Sequence, residues 1–429
     1  MRKALLAPVA VSLSFLWFST LSGQTRTQHF VSSRPVARRV VSAKPSGSGP
    51  GPWVQMAKLT GSGQAFFGPV SISDDIVVVG HSTGSIQKNA YVFVKPPGGW
   101  KNMAQVAILT PSDNAGRDFA LSVSISGDTI AIGFPGANHG AGAVYLYVKP
   151  AGGWKNMTET AKLTSSVGQS ALGHSVSISR DTIVAGAPGV ISQGAGAAFV
   201  FVKPAGGWKN MTQTAELEGS DIAQGDNFGT SVGISGDTVV ADAPFLNGQG
   251  KGYVFVKPAT GWHDTTETAE LTPSNGGFDQ NFGSAAAIDG DTAVFSQNAE
   301  MPYGLYVFVR PQGGWRDMTQ TAELTAPGSD FTFGNAVAIQ GNLIVTGESQ
   351  FTPNQNFIAE GEVFLYLRPK SGWKDSSNPN VTLTGSDARF FSRLGGGVAI
   401  SGKSIVATSN DNGNGNISNA GAGYMFVHP

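Results

Sequence analysis

Residues 227–272 read NFGTSVGISGDTVVADAPFLNGQGKGYVFVKPATGWHDTTETAELT and decide the fold. Short segments in which apolar and polar residues alternate are separated by turn signals, which is the pattern of antiparallel strands. The first turn is Gly236-Asp237, where glycine supplies the positive φ that a two-residue hairpin requires. The predicted strands, numbered in chain order, are strand one (Phe228–Ser235), strand two (Thr238–Pro244), strand three (Gly252–Lys257) and strand four (Trp262–Thr272).

This four-stranded unit is repeated along the chain. Its tryptophan returns every 47 to 58 residues, and the first residue of strand one recurs in register with it. A fixed period of this length indicates an array of one supersecondary unit. Seven copies of a four-stranded antiparallel unit predict an all-β fold, a seven-bladed β-propeller. The tryptophans are Trp53, Trp100, Trp154, Trp208, Trp262, Trp315 and Trp373, and the strand-one starts are Phe67, Phe119, Leu172, Phe228, Phe282, Phe333 and Leu394.

The two ends of the repeat region predict how the ring closes. Residues 51–429 begin with a lone strand four, Trp53–Thr60, and end after a strand three, Gly423–His428. The N-terminal strand should therefore supply the missing fourth strand of the last blade. This closure removes the two edges that an open array would expose. The repeated tryptophans are expected to pack between neighbouring blades.

Two landmarks recur in register, a Phe-Gly pair such as Phe228-Gly229 and a Gly-Ala-Pro segment such as Gly186-Ala187-Pro188. They resemble the FG-GAP repeat, the unit of the integrin α-subunit propeller and of many bacterial surface proteins. The sequence is most similar to the bacterial subtype, in which strand one runs through S-G-D-T into V-x-G-A-P. The resemblance covers the whole repeat region and implies a propeller that recognises a partner at a cell surface.

The integrin-type calcium site is one property that the resemblance implies but the residues do not support. That site lies between strands one and two, and a calcium ion needs about six to eight oxygen ligands there. In this chain the turn has two residues and mostly one carboxylate, as at Asp128, Asp181 and Asp237. We therefore expect no bound metal and no cofactor.

Charge separates the chain into two parts. Residues 1–50 contain seven Lys or Arg and no acid, so that residues 51–429 hold 21 basic against 29 acidic side chains. Proteins that bind nucleic acid usually carry the opposite sign on their folded part. Nucleic acid is therefore excluded as a partner, and the propeller is expected to be a monomer.

The N-terminal residues predict export. Arg2 and Lys3 precede an apolar run from Ala4 to Leu21, which is typical of a signal peptide over residues 1–23, with an uncleaved membrane anchor as the alternative. Residues 24–50 are rich in Ser, Pro, Arg and Gly and are interpreted as a flexible basic linker. The mature chain has no other segment that could span a membrane. Because the chain has no cysteine, a bacterial envelope or secreted protein is favoured.

No local catalytic motif is present, but two carboxylates depart from the repeat. Asp242 stands where other blades have glycine, and Glu348 stands where they have Phe134 or Ala187. Glycoside hydrolysis needs two carboxyl groups about 5–10 Å apart. A glycan-active hydrolase or lyase is therefore an alternative function. His81 and His174 could likewise approach each other between blades and hold a metal, although isolated histidines are usually not ligands.

Variable polar loops provide the candidate binding site. The connections from strand four to the next strand one, and from strand two to strand three, emerge on one face, which we call the upper face. Loops on a rigid scaffold are where such proteins bind their partners. The sequence therefore predicts an exported, non-enzymatic recognition or adhesion propeller that binds a protein or glycan, with a structural envelope protein as a further alternative. The predicted ligand-binding residues are Asp118, Asp226, Asn227 and Asp279.

Overall fold

The computed structural model describes most of the chain from residue 52 onward. The predicted signal peptide (1–23) and basic linker (24–50) lie outside the described residues. The described ranges are 52–62, 67–81, 89–113, 118–168, 170–189, 194–275, 281–297, 301, 303–350, 360–387, 392–410 and 421–429.

Seven antiparallel sheets form a closed ring. Strand one of each sheet packs against strand one of the next, and strand one of the seventh sheet packs against that of the first. Within each sheet the four strands follow one another in order from the inside of the ring to the outside. The predicted seven-bladed β-propeller is therefore confirmed.

The strands of the first four blades have the following bounds, given from strand one to strand four. They are Phe67–Ser73, Ile76–His81, Ala90–Val94 and Ala107–Leu109 in blade one; Ser122–Ser126, Thr129–Phe134, Ala143–Val148 and Ala161–Thr164 in blade two; Ser175–Ser179, Thr182–Ala187, Ala197–Val202 and Ala215–Glu218 in blade three; and Val232–Ser235, Thr238–Ala243, Lys251–Val256 and Ala269–Thr272 in blade four.

The last three blades follow the same order. They are Ala286–Asp289, Thr292–Gln297, Gly304–Val309 and Ala322–Leu324 in blade five; Phe333–Gln340, Leu343–Glu348, Glu362–Leu367 and Val381–Leu383 in blade six; and Leu394–Ser401, Ser404–Ser409, Ala422–Val427 and Val54–Thr60 in blade seven. Helix in the described ranges is limited to single turns at Ala137–Gly140 and Leu246–Gly248. None of the helical segments described is long and apolar enough to cross a membrane.

Blade seven is completed by the N-terminal strand, as the sequence predicts. Val54–Thr60 pairs antiparallel with Ala422–Val427, with Lys58 opposite Tyr424. A strand from one end of the chain thus joins the sheet that holds the other end. The ring is closed by backbone hydrogen bonding rather than by side-chain packing alone.

The apolar core lies between successive blades. Between blades two and three, for example, Leu163 from one sheet and Ile178 and Phe201 from the next pack around Trp208. All four side chains are at least nine-tenths buried. Equivalent clusters lie between the other blades. The tryptophans therefore pack between neighbouring sheets, as predicted.

The turn between strands one and two is the same in every blade. Its first residue has a positive φ in all seven copies, which is why glycine occupies five of them. Side chains at the end of strand one also connect the blades: the hydroxyl of Ser126, for example, accepts a hydrogen bond from Arg180 N at 3.1 Å. The positive-φ residues are Asp74, Gly127, Arg180, Gly236, Gly290, Gly341 and Gly402.

Strand four is shorter than the sequence predicts. In blade four it begins at Ala269, and Trp262 lies in the preceding connection. Between them, Thr265–Thr266 forms a separate two-residue strand that pairs in parallel with the outer strand of blade three, Leu217 being opposite Thr265. Strand one of blade four is shorter too and begins at Val232, because Gly229 has a φ of 86° and interrupts the extended chain.

We call the short segment that reaches back to the preceding blade a strap. Each strap adds a parallel fifth strand, or a single bridge, to the outer edge of that blade. The straps are Met103–Ala104 on blade seven, Met157 on blade one, Met211–Thr212 on blade two, Thr265–Thr266 on blade three, Met318–Thr319 on blade four and Ser376 on blade five.

Candidate functional site

Asp226, one of the four predicted ligand-binding residues, is buried. Its side chain is only 9% exposed. The carboxylate accepts a hydrogen bond from Ala223 N at 2.6 Å, and the backbone oxygen accepts one from Phe245 N at 3.4 Å. The carboxylate, predicted to bind a partner, is thus held inside its own loop. Asp226 instead holds two upper-face loops together.

The other predicted residues do not form one cluster. Asn227 is half-buried, with φ at 58°, and its backbone oxygen accepts a hydrogen bond from the Thr230 hydroxyl at 2.8 Å. Asp118 is also half-buried, but it lies in the loop between blades one and two, whereas Asn227 lies between blades three and four. Asp279 lies outside the described residues. The prediction thus names positions in separate loops of one face.

A partly buried group of side chains that sequence reasoning missed fixes the upper loops. The Asp113 carboxylate accepts hydrogen bonds from the Tyr145 hydroxyl at 2.8 Å and from Lys162 Nζ at 2.5 Å. Lys162 Nζ also lies 5.0 Å from the centre of the Tyr145 ring. Burial alone would raise the pKa of Asp113, but the hydrogen bonds from Lys162 and Tyr145 outweigh it and lower the pKa.

The same arrangement recurs in two further blades. Asp221 meets Tyr253 and Lys251 in blade four, and Asp387 meets Tyr424 and Lys58 in blade seven. In each case an aspartate that follows a serine in the loop after strand four is anchored to strand three of the next blade. The Ser-Asp pair at Ser112, Ser220 and Ser386 is the sequence signal that could have revealed these anchors.

The largest exposed apolar side chains of the upper face lie on one sector. Phe245 is 46% exposed in the loop after strand two of blade four, and Met301 is 78% exposed in the same loop of blade five. Phe331, in the loop from blade five to blade six, is 52% exposed. Burying such side chains against a partner is favourable because apolar surface leaves water. This sector is therefore the part of the described surface best suited to binding.

The lower face, which carries the turns between strands one and two, has different chemistry. The turn carboxylate pairs with a basic residue at the end of strand three, as in Asp128 with Lys149 at 3.1 Å and Asp181 with Lys203 at 3.2 Å. A groove of about 330 Å³ runs beside the Asp128 turn and is lined by Trp154. Within the described ranges, no cluster of three or more His, Asp or Glu side chains could hold a metal ion.

The two carboxylates that depart from the repeat do not meet. Asp242 lies in blade four and Glu348 in blade six, with the whole of blade five between them. Both side chains are fully buried. The carboxylate of Asp242 accepts a hydrogen bond from Ser231 N at 2.6 Å, and that of Glu348 accepts one from Asp330 N at 2.5 Å. They cannot act as a pair on one glycosidic bond.

Burial perturbs both carboxyl groups. It raises the pKa of Asp242 well above its ordinary value, because the charged form loses its hydration. Burial also raises the pKa of Glu348 to about 8, with the nearby charges of Asp330 and Glu362 acting in the same direction. Glu362 faces Glu348 across the sheet, and burial raises its pKa to about 7. In all three groups burial thus favours the protonated acid over the carboxylate.

The two histidines are also in different blades. His81 in blade one lies 2.5 Å from the side-chain oxygen of Asn89, and His174 in blade three lies 3.2 Å from the backbone oxygen of Thr230. Burial lowers the pKa of both histidines. Blade two separates them, so the shared metal site considered from the sequence is not formed.

Comparison with known proteins agrees with this architecture. Residues 103–147, 157–201 and 211–256 each match the family model described as the FG-GAP repeat. Each match begins at a strap and ends in strand three of the following blade. The three matches and the seven-bladed ring together support an FG-GAP propeller.

The fold is also similar to a solved structure, the crystal structure of the WD40 beta propeller domain of Doa1. The identity is 12%, the alignment covers 89% of this chain and 98% of that chain, and the TM-score is 0.51. A likeness at this identity concerns the propeller fold alone. No curated protein matches the sequence.

Proposed function

We propose that this propeller is a non-enzymatic recognition protein that binds a protein or glycan partner through its upper face. The FG-GAP propeller is commonly a protein-binding scaffold. The observation that carries the proposal is the exposure of Phe245, Met301 and Phe331 in loops of blades four to six. Aromatic and methionine side chains are enriched in binding surfaces, where they provide most of the buried apolar area.

The predicted polar residues take two roles in this proposal. Asn227 precedes strand one of blade four, next to the apolar sector, and supplies a hydrogen bond to the partner, while Asp118, between blades one and two, and Asp279 remain proposed polar contacts of other upper loops. Asp226 supports the surface from beneath, because its carboxylate and backbone oxygen join the Ala223 and Phe245 segments. Removing that carboxylate leaves Ala223 N without its acceptor and should disturb the position of Phe245.

The test compares two triple variants on glycan and protein arrays. In the first, Phe245, Met301 and Phe331 are changed to Ser, which removes the apolar sector of the upper face. In the second, the matched control, Val54, Val106 and Val256 are changed to Ser; these side chains are 43%, 43% and 38% exposed but lie outside the upper face. Binding should be lost in the first variant and retained in the control. Equal binding by both, or loss only in the control, contradicts the proposal.

The enzymatic alternative loses its candidate residues. Asp242 and Glu348 are fully buried in separate blades, so that neither reaches a substrate together with the other. We therefore expect no hydrolysis or elimination on the glycans that the arrays identify. Release of reducing sugar or of an unsaturated product would restore the enzymatic alternative.

Export is a further part of the proposal. It is supported by Arg2 and Lys3, which precede the apolar run from Ala4 to Leu21. Cleavage near Gly23 would release a protein whose basic linker precedes the propeller. N-terminal sequencing of the protein recovered outside the cytoplasm should begin near residue 24. Recovery of the full-length chain in a membrane fraction would instead support an uncleaved anchor.

A further inference from the structure

The straps show what the outer edge of a blade binds. At blade one, the side-chain oxygen of Asn156 accepts a hydrogen bond from Ile108 N at 2.8 Å. Met157 N then donates to Ile108 O at 3.2 Å, and Met157 O accepts from Thr110 N at 3.2 Å. One short segment therefore satisfies three outward-facing backbone groups of the edge strand.

The other covered blades use the same chemistry. In blade five, Glu323 N donates to the carboxylate of Asp375 at 2.9 Å, and Ser376 N donates to Glu323 O at 2.9 Å. An Asn or Asp side chain accepts from the middle residue of strand four in blades one to five and in blade seven. The donor and acceptor pairs are Ile108–Asn156, Lys162–Asn210, Glu216–Asp264, Glu270–Asp317, Glu323–Asp375 and Lys58–Asn102.

Blade six lacks a strap among the described residues. Its strand four, Val381–Leu383, is the last strand of its sheet. Thr382 lies opposite Phe364 in the same register as Ile108 opposite Tyr91 in blade one. Its backbone N–H and oxygen therefore face outward. Thr382 is exposed, whereas its six counterparts in the other blades are half-buried.

The sequence explains why this edge is open. In blade three, the first alanine of strand four, Ala215, lies seven positions after Trp208, and the strap lies between them. In the closing blade Ala57 lies only four positions after Trp53. This connection contacts blade six through Gln55, whose side-chain oxygen accepts a hydrogen bond from Ser386 N at 2.9 Å and whose side-chain nitrogen donates one to the Ser386 hydroxyl at 2.9 Å. Counted back from the alanine, Pro52 and Trp53 stand where the strap on blade two has Asn210 and Met211, and Pro52 has no side-chain acceptor for Thr382 N.

We propose that the outer edge of blade six is a β-augmentation site for an extended segment of a partner protein. The segment would run parallel to residues 381–384. Its chemistry follows from the straps: an Asn or Asp side chain accepts from Thr382 N, and the backbone of the next residue pairs with Thr382 O and Thr384 N. Peptides that add a strand to an open sheet edge obtain their affinity from such main-chain hydrogen bonds.

Two further observations favour a partner over other occupants. Residues 1–51 contain neither Asn nor Asp, so the N-terminal part of this chain lacks the side-chain acceptor that every strap provides. At the position of Thr382, five of the six other blades carry Lys or Glu. Those edges are covered by straps, whereas an open edge is normally protected against strand addition by charged side chains. The open edge of blade six has the small, neutral Thr382 instead, which leaves room for a strand.

The first test uses a strap of this protein as the probe. A synthetic peptide with the sequence of residues 208–214, WKNMTQT, is titrated into the ¹⁵N-labelled protein and followed by NMR. We expect saturable shifts at the Thr382 and Thr384 amides. A second peptide, N-methylated at its methionine, cannot donate to Thr382 O and should bind about tenfold more weakly. Absence of saturable binding at millimolar peptide, or equal binding of both peptides, overturns the proposal.

The second test changes the edge itself. Thr382→Pro removes the outward N–H, and proline is tolerated at such positions of edge strands. The control Thr382→Ala keeps the N–H. Peptide binding should fall about tenfold in the proline variant and be retained in the alanine variant. Equal binding by the two variants overturns the proposal.

Hydrogen exchange of the free, full-length protein tests the edge without any substitution. The Thr382 amide should exchange faster than the equivalent strap-bonded amides of Lys162, Glu216 and Glu270. Protection of Thr382 in the free protein would mean that the chain's own residues occupy the edge, and this result also overturns the proposal.

Discussion

At the scale of single residues, the departures from the repeat are buried acids rather than surface groups. Asp242 occupies a position held by glycine in blades two and three, and its Cβ lies beside Gly283 of the next blade, where an added Cβ would be 2.6 Å away. The absence of a side chain at Gly283 thus makes room for Asp242. These acids lie within the blades, where ionisation is unfavourable.

Glu348 should make the stability depend on pH. Burial raises its folded-state pKa to about 8 from an ordinary value of 4.5. The stabilising contribution is fully present below about pH 4.5 and is lost as the pH rises through about 8, since the folded state must then hold a buried charge. Unfolding should therefore cost on the order of 2–4 kcal/mol less at pH 9 than at pH 5.

The variant Glu348→Gln isolates this effect. Glutamine can still accept the hydrogen bond from Asp330 N, but it does not ionise. Chemical denaturation at pH 5, 7 and 9 should show a weaker pH dependence than in the wild type, with a remainder from Glu362. An unchanged slope in the variant, or a wild type that becomes more stable toward pH 9, contradicts the assignment.

Trp208 should contribute to the stability of the protein through packing alone. Its side chain is 8% exposed and lies between blades two and three, and its indole nitrogen has no hydrogen-bond partner in the described part of the chain. Trp208→Ala should destabilise the protein by about 3–5 kcal/mol. Trp208→Phe, which keeps an aromatic ring, should cost less. A loss below about 1 kcal/mol for the alanine variant in urea denaturation would show that the tryptophan does not fill this space.

At the scale of elements, the straps are the feature that the sequence did not reveal. Residues such as Met211-Thr212 continue the alternating pattern of strand four, which begins at Ala215. Alternation shows that a segment is extended but not which strand it pairs with, because pairing depends on contacts distant in sequence. The first prediction therefore joined the strap and strand four into one strand.

Most of the architecture could nevertheless be predicted. The blade number, the strand order and the closure by Trp53–Thr60 follow from repeats and from the two incomplete ends, which are local features of the sequence. The candidate site was predicted less well. Asp226 was assigned to the binding surface because it lies in a polar loop, and its burial depends on contacts between that loop and the segment at Phe245, which the sequence does not show.

A strap hydrogen bond can be tested in blade two. Asn210→Ala removes the acceptor for Lys162 N, which lies 2.8 Å from the asparagine oxygen. Stability should fall by about 0.5–1.5 kcal/mol, and the Lys162 amide should exchange faster. The neighbouring exposed residue provides the control, since Lys209→Ala should change stability by less than about 0.5 kcal/mol. Equal effects of the two substitutions would argue against a stabilising strap.

At the scale of the whole molecule, the ring is stabilised by packing between blades and by the N-terminal strand. The lower-face turns, where integrin-type repeats place calcium, carry carboxylates paired with basic side chains, as in Asp128 with Lys149. These ion pairs are exposed and contribute little to stability. They provide a structural reason for the repeated turn aspartate that involves no metal.

Chelation should therefore leave the melting temperature unchanged. A bound cation at about 100 times its dissociation constant would stabilise the fold by about 2.7 kcal/mol, so calorimetry with and without EDTA is a sensitive measurement. Calcium-saturated EDTA, which cannot remove calcium from the protein, serves as the control for ionic strength. A decrease in melting temperature that added calcium reverses would show that at least one blade holds the ion.

A hydrogen-exchange footprint tests most directly whether the upper face is the recognition surface. The protein would be compared with and without the partner that the arrays identify. We expect protection of the upper loops at residues 219–231, 244–250 and 325–332, and no change at the lower turns. Protection centred instead on the turns at Gly127-Asp128 and Gly236-Asp237 would place binding on the lower face and contradict the proposed function.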